Sequence, residues 1–78
     1  MFLLSTTGSL TNLDVMESIR VAQDPTSQKW AIKGRCCNTL DIQEYKDEVS
    51  ARAEMALVVD ALGKPKVPMV FKLKGGDA

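Results

Sequence analysis

One segment of this 78-residue chain predicts an α-helix, and that helix limits what the rest of the chain can form. The segment covers residues 47–63. Asp47 is a suitable N-cap, and Glu48 places a carboxylate near the positive end of the helix dipole. Gly63 predicts a left-handed C-cap, and Pro65 prevents the helix from continuing. Because the rest of the chain is strand-like, we expect this one helix to cover a sheet.

Runs of alternating polarity predict the strands of that sheet. They lie at 18–22, 30–36 and 40–45, with turn-forming residues between them at 24–27 and Asn38. Such connections are too short for crossovers, so the three strands form an antiparallel meander. In the strand at 30–36, the alternation predicts that Trp30, Ile32, Gly34 and Cys36 share one face. In the strand at 40–45, it predicts that the side chains of Leu40 and Ile42 point inward and those of Asp41 and Gln43 point outward.

The two ends of the chain add strand candidates whose partners the sequence leaves open. Residues 2–12 predict a hairpin, and residues 67–73 alternate as a last strand in which Pro68, lacking an N–H, favours an edge position. Each either extends the meander or pairs with another copy of the chain. We predict a single α+β domain over 1–78, an antiparallel β-meander of about four to five strands covered by one helix, with a loose tail at 75–78.

The predicted helix carries two apolar stripes at about 100° per residue. The stripe predicted to face the core contains Ala51, Met55, Val58, Val59 and Leu62. The second stripe, interrupted by Asp60, contains Val49, Ala53, Ala56 and Leu57. It is either a solvent-exposed face, since alanine tolerates exposure, or an oligomer interface, with a homodimer favoured because a small chain gains stability by associating. Met69 and Phe71 are further interface candidates.

The composition argues against an enzyme and against a metal site. The chain has no histidine, the commonest general base and metal ligand, and only two cysteines, Cys36 and Cys37. No catalytic residue, cofactor or metal is predicted. The carboxylates of Asp41, Glu44, Asp47 and Glu48 cluster in the sequence, but helix capping explains two of them. A non-enzymatic binding protein is the leading functional hypothesis.

Positive charge is uneven, although ten basic residues balance ten acidic ones. The basic side chains that are candidates for contacting a phosphate are those of Lys33, Arg35, Lys72 and Lys74. They support an alternative function, a nucleic-acid- or nucleotide-binding module. The other interpretation is that these side chains solvate an edge strand and prevent aggregation.

No apolar run approaches the roughly 20 residues that a membrane-spanning helix needs. Two adjacent cysteines are not a disulfide framework, so we expect a reducing, cytoplasmic location. No membrane partner is predicted.

A sequence pattern of fold-forming residues precedes the helix. It comprises Asn12-Leu13-Asp14, Glu17-Ser18-Ile19, Val21, Trp30-Ala31-Ile32, Ile42 and Tyr45, and it leads into a helix with Ala51, Met55, Val58 and Leu62. This order resembles small bacterial and phage proteins of unknown function that have an "NLDxxES" strand, a hairpin and one C-terminal helix, over roughly residues 9–62. The resemblance implies a phage or mobile-element accessory protein, for which blocking a protein partner through a sheet edge is a third hypothesis. It transfers no site residue.

Overall fold

The computed structural model describes residues 1–75, and within them the chain forms six strands, one 3-10 helix and one α-helix. In chain order these are β1 (Phe2–Leu4), β2 (Leu10–Asn12), the 3-10 helix (Leu13–Val15), β3 (Ser18–Gln23), β4 (Trp30–Arg35), β5 (Thr39–Tyr45), α1 (Glu48–Leu62) and β6 (Val70–Lys72). The predicted tail lies outside the described residues except for Gly75, whose N–H donates to the Glu54 carboxylate at 3.1 Å.

Strands β3, β4 and β5 form the antiparallel meander that the sequence predicts; we call it the meander sheet. Helix α1 packs on its inner face, where Ile32 and Tyr45 join Ala51 and Val58 in one buried cluster. Ile19 packs against the same cluster. The α+β class and the helix-covered meander are therefore confirmed.

The strands at the two ends of the chain pair with each other, in a second sheet with the order β2-β1-β6 that we call the terminal sheet. Strands β1 and β2 form the predicted antiparallel hairpin, while β6 runs parallel to β1 and occupies an edge. Pro68 precedes β6, consistent with its missing N–H. Leu3 and Leu73 are buried and join the core cluster, which the two sheets and α1 share.

The ends of α1 confirm one predicted cap and correct the other. The Asp47 side chain accepts a hydrogen bond from the Ser50 N–H at 2.8 Å, as an N-cap does. Gly63, predicted to be left-handed, has φ −83° and ψ −4°, which is right-handed. The helix closes instead on a tightened last turn, in which the Gly63 N–H donates to Val59 and Asp60 carbonyls. Glycine is therefore not required there for its backbone freedom.

The face of α1 that enters the core differs from the predicted stripe. The buried residues are Ala51, Glu54, Val58 and Ala61, with Met55 partly buried. Val59 and Leu62, expected inside, are 56% and 42% exposed. The helix is rotated toward Glu54 because this carboxylate finds hydrogen-bond donors inside the protein, which offset the cost of burying it.

A bulge in β5 reverses one further prediction. Gln43 was predicted to point outward, but it is 8% exposed and pairs in register with Ile32. The register then skips from Gln43 to Asp41, so Ile42 is the extra residue. Ile42 is also buried, as predicted, whereas Leu40, likewise predicted inward, is 39% exposed near the start of the strand.

Candidate interaction surfaces

The outer face of α1 is apolar, exposed and outside the core. Val49 is 78% exposed and Leu57 50%, and Ala53 and Ala56 between them are also exposed. Ala56 is about 200° around the helix from the buried Val58, so the face points directly away from the meander sheet. The structure thus brings the four helical interface candidates together on one surface.

Two ion pairs lie beside this face, one bordering it near the start of α1 and one, through Asp60, interrupting it near the end. Arg52 Nε lies 2.6 Å from Glu48 Oε2, and Lys64 Nζ lies 3.9 Å from Asp60 Oδ2. Both pairs join residues four apart, and all four side chains are substantially exposed. Exposed pairs of this kind contribute little to stability.

The other two interface candidates do not share a common environment. Met69 is 79% exposed just before β6, whereas Phe71 is half-buried and packs against the core cluster. The outer face of the terminal sheet offers a separate apolar surface in this region. There Leu4 pairs with Leu10, and Phe2 pairs with Val70.

The four basic candidates do not form one patch. Lys33 and Arg35 lie on the outer face of the meander sheet, where Lys33 Nζ is 3.1 Å from Asp41 Oδ1. Lys74 lies on the other side of the meander sheet, where α1 packs: its backbone N–H donates to Glu54 on α1 at 2.9 Å. Lys72 is exposed on the terminal sheet.

Arg20 joins Lys33 and Arg35 instead, and the sequence analysis missed it. Arg20 is directly opposite Lys33 in the register of β3 and β4. The three cations surround a shallow cavity of about 80 Å³ whose other lining residues are Ser18, Gly34 and Thr39. The sequence alone does not show this cluster, because it forms only through the register of β3 and β4, in which Arg20 pairs with Lys33 and Ser18 with Arg35.

A larger cleft, of about 480 Å³, lies between the β1–β2 turn and the open edge of β5. Thr6 and Gln43 bridge its two sides: the Thr6 N–H donates to Gln43 Oε1 at 2.9 Å, and Gln43 Nε2 donates to Thr6 Oγ1 at 3.0 Å. Lys29, Asp41, Glu44 and Lys46 also line it. The two positive and two negative side chains give this cleft no preference for ligand charge.

Glu54 is the buried charged residue that sequence reasoning missed. It is 5% exposed, and its Oε1 accepts hydrogen bonds from the Tyr45 hydroxyl at 2.7 Å and from Lys74 N–H at 2.9 Å. Burial, and then the hydrogen bond to Glu54, raise the pKa of Tyr45 far above its usual value. The Tyr45 hydroxyl therefore donates to Glu54, and this hydrogen bond links β5 to α1. The only signal for the burial of Glu54 in the sequence is its position between apolar residues of the helix.

The acidic and thiol side chains among residues 1–75 form no group of three placed to hold a metal ion. Cys36 and Cys37 are free and lie in the loop after β4. The strand was predicted to include Cys36, but it ends at Arg35. In the described part of the chain, α1 is too short and too polar to cross a bilayer.

Comparison of the chain with protein-family models, with curated proteins and with solved structures gives no match. The resemblance to small bacterial and phage proteins accordingly stays a prediction.

Proposed function

We propose that this chain is a small, non-enzymatic accessory protein that works as a homodimer through the outer face of α1. The observation that carries the proposal is that face itself, with Val49 78% exposed and Leu57 50% exposed around two alanines. An apolar helix surface outside the core is typical of a protein contact. Because a second copy presents the same face, a symmetric pair buries it twice.

The balance of buried and exposed side chains supports association. The buried hydrophobic residues number ten, three of which are alanine, whereas ten large hydrophobic residues of the described chain are exposed. A domain of this size has a small core and little stability in reserve. Burying part of the exposed set in a dimer adds apolar burial without lengthening the chain.

The absence of histidine from the sequence and the positions of the carboxylates support a non-enzymatic role. Asp47 caps α1, Asp41 pairs with Lys33, and Glu48 pairs with Arg52. The free thiols of Cys36 and Cys37 favour a reducing, cytoplasmic location.

The test is the molar mass in solution, measured by light scattering after size exclusion at high micromolar concentration. We expect a dimer for the wild type and a monomer for Ala53→Glu, which places a charge in the centre of the interface. Leu10→Glu, on the outer face of the terminal sheet, is the matched control and leaves the dimer intact. A monomeric wild type rules out the proposal, and a dimer lost only in Leu10→Glu moves the interface to the terminal sheet.

A second candidate function, binding of nucleic acid or nucleotides, is favoured by the cluster of Arg20, Lys33 and Arg35. Three cations around one cavity form a phosphate-sized positive site, although Asp41 neutralises part of it. Binding of a single-stranded oligonucleotide is expected to weaken steeply with salt and to be lost in Arg20→Ala. Lys72→Ala, on the terminal sheet, is the control. Salt-independent or absent binding excludes this function.

A further inference from the structure

Four charged residues of α1 and of the segment just after it follow an order of signs that is reversed about Ala56. Glu48, Arg52, Asp60 and Lys64 stand at successive four-residue steps, except that Ala56 occupies the middle step. Their signs are negative, positive, negative and positive. A charge at a given distance before Ala56 therefore has the opposite sign to the charge at the same distance after it.

This order has a geometric meaning when two copies of the helix pair around a two-fold axis at Ala56. In an antiparallel pair, a residue before Ala56 meets the partner residue equally far after it. Arg52 then lies level with Asp60 of the second copy, and Asp60 lies level with its Arg52, so both of these contacts join opposite charges. A parallel, in-register pair places every charge against its own copy and is unfavourable. The charge order thus favours self-association in one orientation only.

The apolar residues of α1 fit the same arrangement. The pairing that joins Arg52 to Asp60 also brings Ala53 level with Val59 of the second copy, and Val49 level with its Gly63. Val49 and Val59 are 78% and 56% exposed, so neither side chain is buried within the monomer. Alanine at the crossing point lets the helix axes approach to roughly 8–10 Å. Arg52 and Asp60 lie about 6 Å along the axis on either side of Ala56, at the border of this contact.

We infer that α1 pairs with α1 of a second copy as an antiparallel helix pair whose two-fold axis passes at Ala56. The inference rests on the proposed homodimer and specifies its interface. Leu57, about 100° around the helix from Ala56, lies at the margin of this contact. The exposed Val59, which the sequence pattern had assigned to the core, is part of it.

The test is a charge-reversal experiment in which two defective variants restore each other. Arg52→Glu places a carboxylate opposite Asp60 twice in the homodimer, and Asp60→Arg places a second guanidinium opposite Arg52 twice. Each variant alone is expected to raise the dimer dissociation constant by about tenfold or more. Mixed in equal amounts, the two variants form a heterodimer in which a carboxylate pair faces a guanidinium pair across the axis. Its dissociation constant, measured by sedimentation, is expected to be at least about threefold lower than that of either variant alone.

A disulfide crosslink provides an independent test of where the two-fold axis passes along α1. In a Cys36→Ser/Cys37→Ser background, Ala56→Cys is expected to form a disulfide-linked dimer on mild oxidation, because residues on a two-fold axis face themselves within disulfide distance. Leu57→Cys, on the same helix but at the margin of the contact, is the control and stays largely uncrosslinked.

The outcomes separate the inference from the proposed function. A wild-type monomer overturns both. A wild-type dimer whose charge variants do not restore each other on mixing, or whose Ala56→Cys variant does not crosslink, overturns the two-fold helix pair and leaves the homodimer standing.

Discussion

Glu54 is the residue on which three parts of the fold converge. It projects from α1 into the core, where its Oε1 accepts from Tyr45 of β5 and from Gly75, and both of its oxygens lie within 3.0 Å of the Lys74 N–H. A buried carboxylate without such donors would cost several kcal/mol. Hydrogen bonds to a charged group are stronger than neutral ones, so Glu54 holds the C-terminal segment onto the helix.

Glu54→Gln is therefore expected to lower the free energy of unfolding by about 1–3 kcal/mol, measured by urea denaturation. The amide keeps the shape of the side chain but replaces one acceptor oxygen with an NH₂ donor, which at the Oε2 position faces the Lys74 N–H. Glu17→Gln removes an exposed carboxylate outside α1 and should change stability by no more than about 0.5 kcal/mol. Equal effects of the two substitutions would contradict the structural role of Glu54.

At the scale of elements, the N-terminus of α1 depends on one side chain. The Asp47 carboxylate accepts from the Ser50 backbone N–H at 2.8 Å. That backbone hydrogen bond, followed by one to the Ser50 side chain, lowers the pKa of Asp47 below its usual 3.8. The ionised form of Asp47 thus stabilises the folded state.

The sign of the resulting pH dependence follows from linkage. Above pH 3.8 Asp47 is ionised in both the folded and the unfolded chain, so its contribution is fully present. As the pH falls below 3.8 through the lower folded pKa, the contribution is lost. Asp47→Asn keeps a capping side chain but does not titrate. We expect the stability advantage of the wild type over Asp47→Asn to shrink on acidification across this range, measured by urea midpoints. An advantage that grows with acid would reverse the assignment.

At the scale of the whole molecule, two three-stranded sheets and one helix share a core that contains only three completely enclosed large side chains, Leu3, Ile32 and Val58, among the described residues. Each comes from a different layer: the terminal sheet, the meander sheet and α1. A core this small gives marginal stability to a monomer, so association changes the apparent stability strongly.

Thermal unfolding is expected to depend on protein concentration. Because the proposed dimer stabilises the folded state by mass action, the wild-type Tm should rise by several degrees over a hundredfold increase in concentration. Ala53→Glu, expected to be monomeric, should show a constant Tm over the same range. A wild-type Tm that does not change with concentration would argue against a dimer that is linked to folding.

Local signals in the sequence were enough to predict α1, the strands and the fold class, although not the 3-10 helix. The Asp47 cap and the turn residues at 24–27 act on their near neighbours, so the predicted helix at 47–63 and the predicted strand at 18–22 agree closely with α1 and β3. The exposure of the second helical stripe was also predictable, because helical periodicity separates Ala53 and Ala56 from Ala51 on the core side.

The tertiary structure decided the features that depend on partners distant in the sequence. Gln43 turns inward to meet Thr6, and Glu54 turns inward to meet Lys74; these partners are 37 and 20 residues away. The parallel pairing of β6 with β1 joins the two ends of the described chain in the same way. Whether a polar group is buried or exposed depends on the free energy of its contacts in the folded state, and no local pattern contains that information. The sequence by itself determined a capped helix, a meander and an apolar outer helix face, whereas only the folded chain could place Glu54 inside and leave Val59 outside.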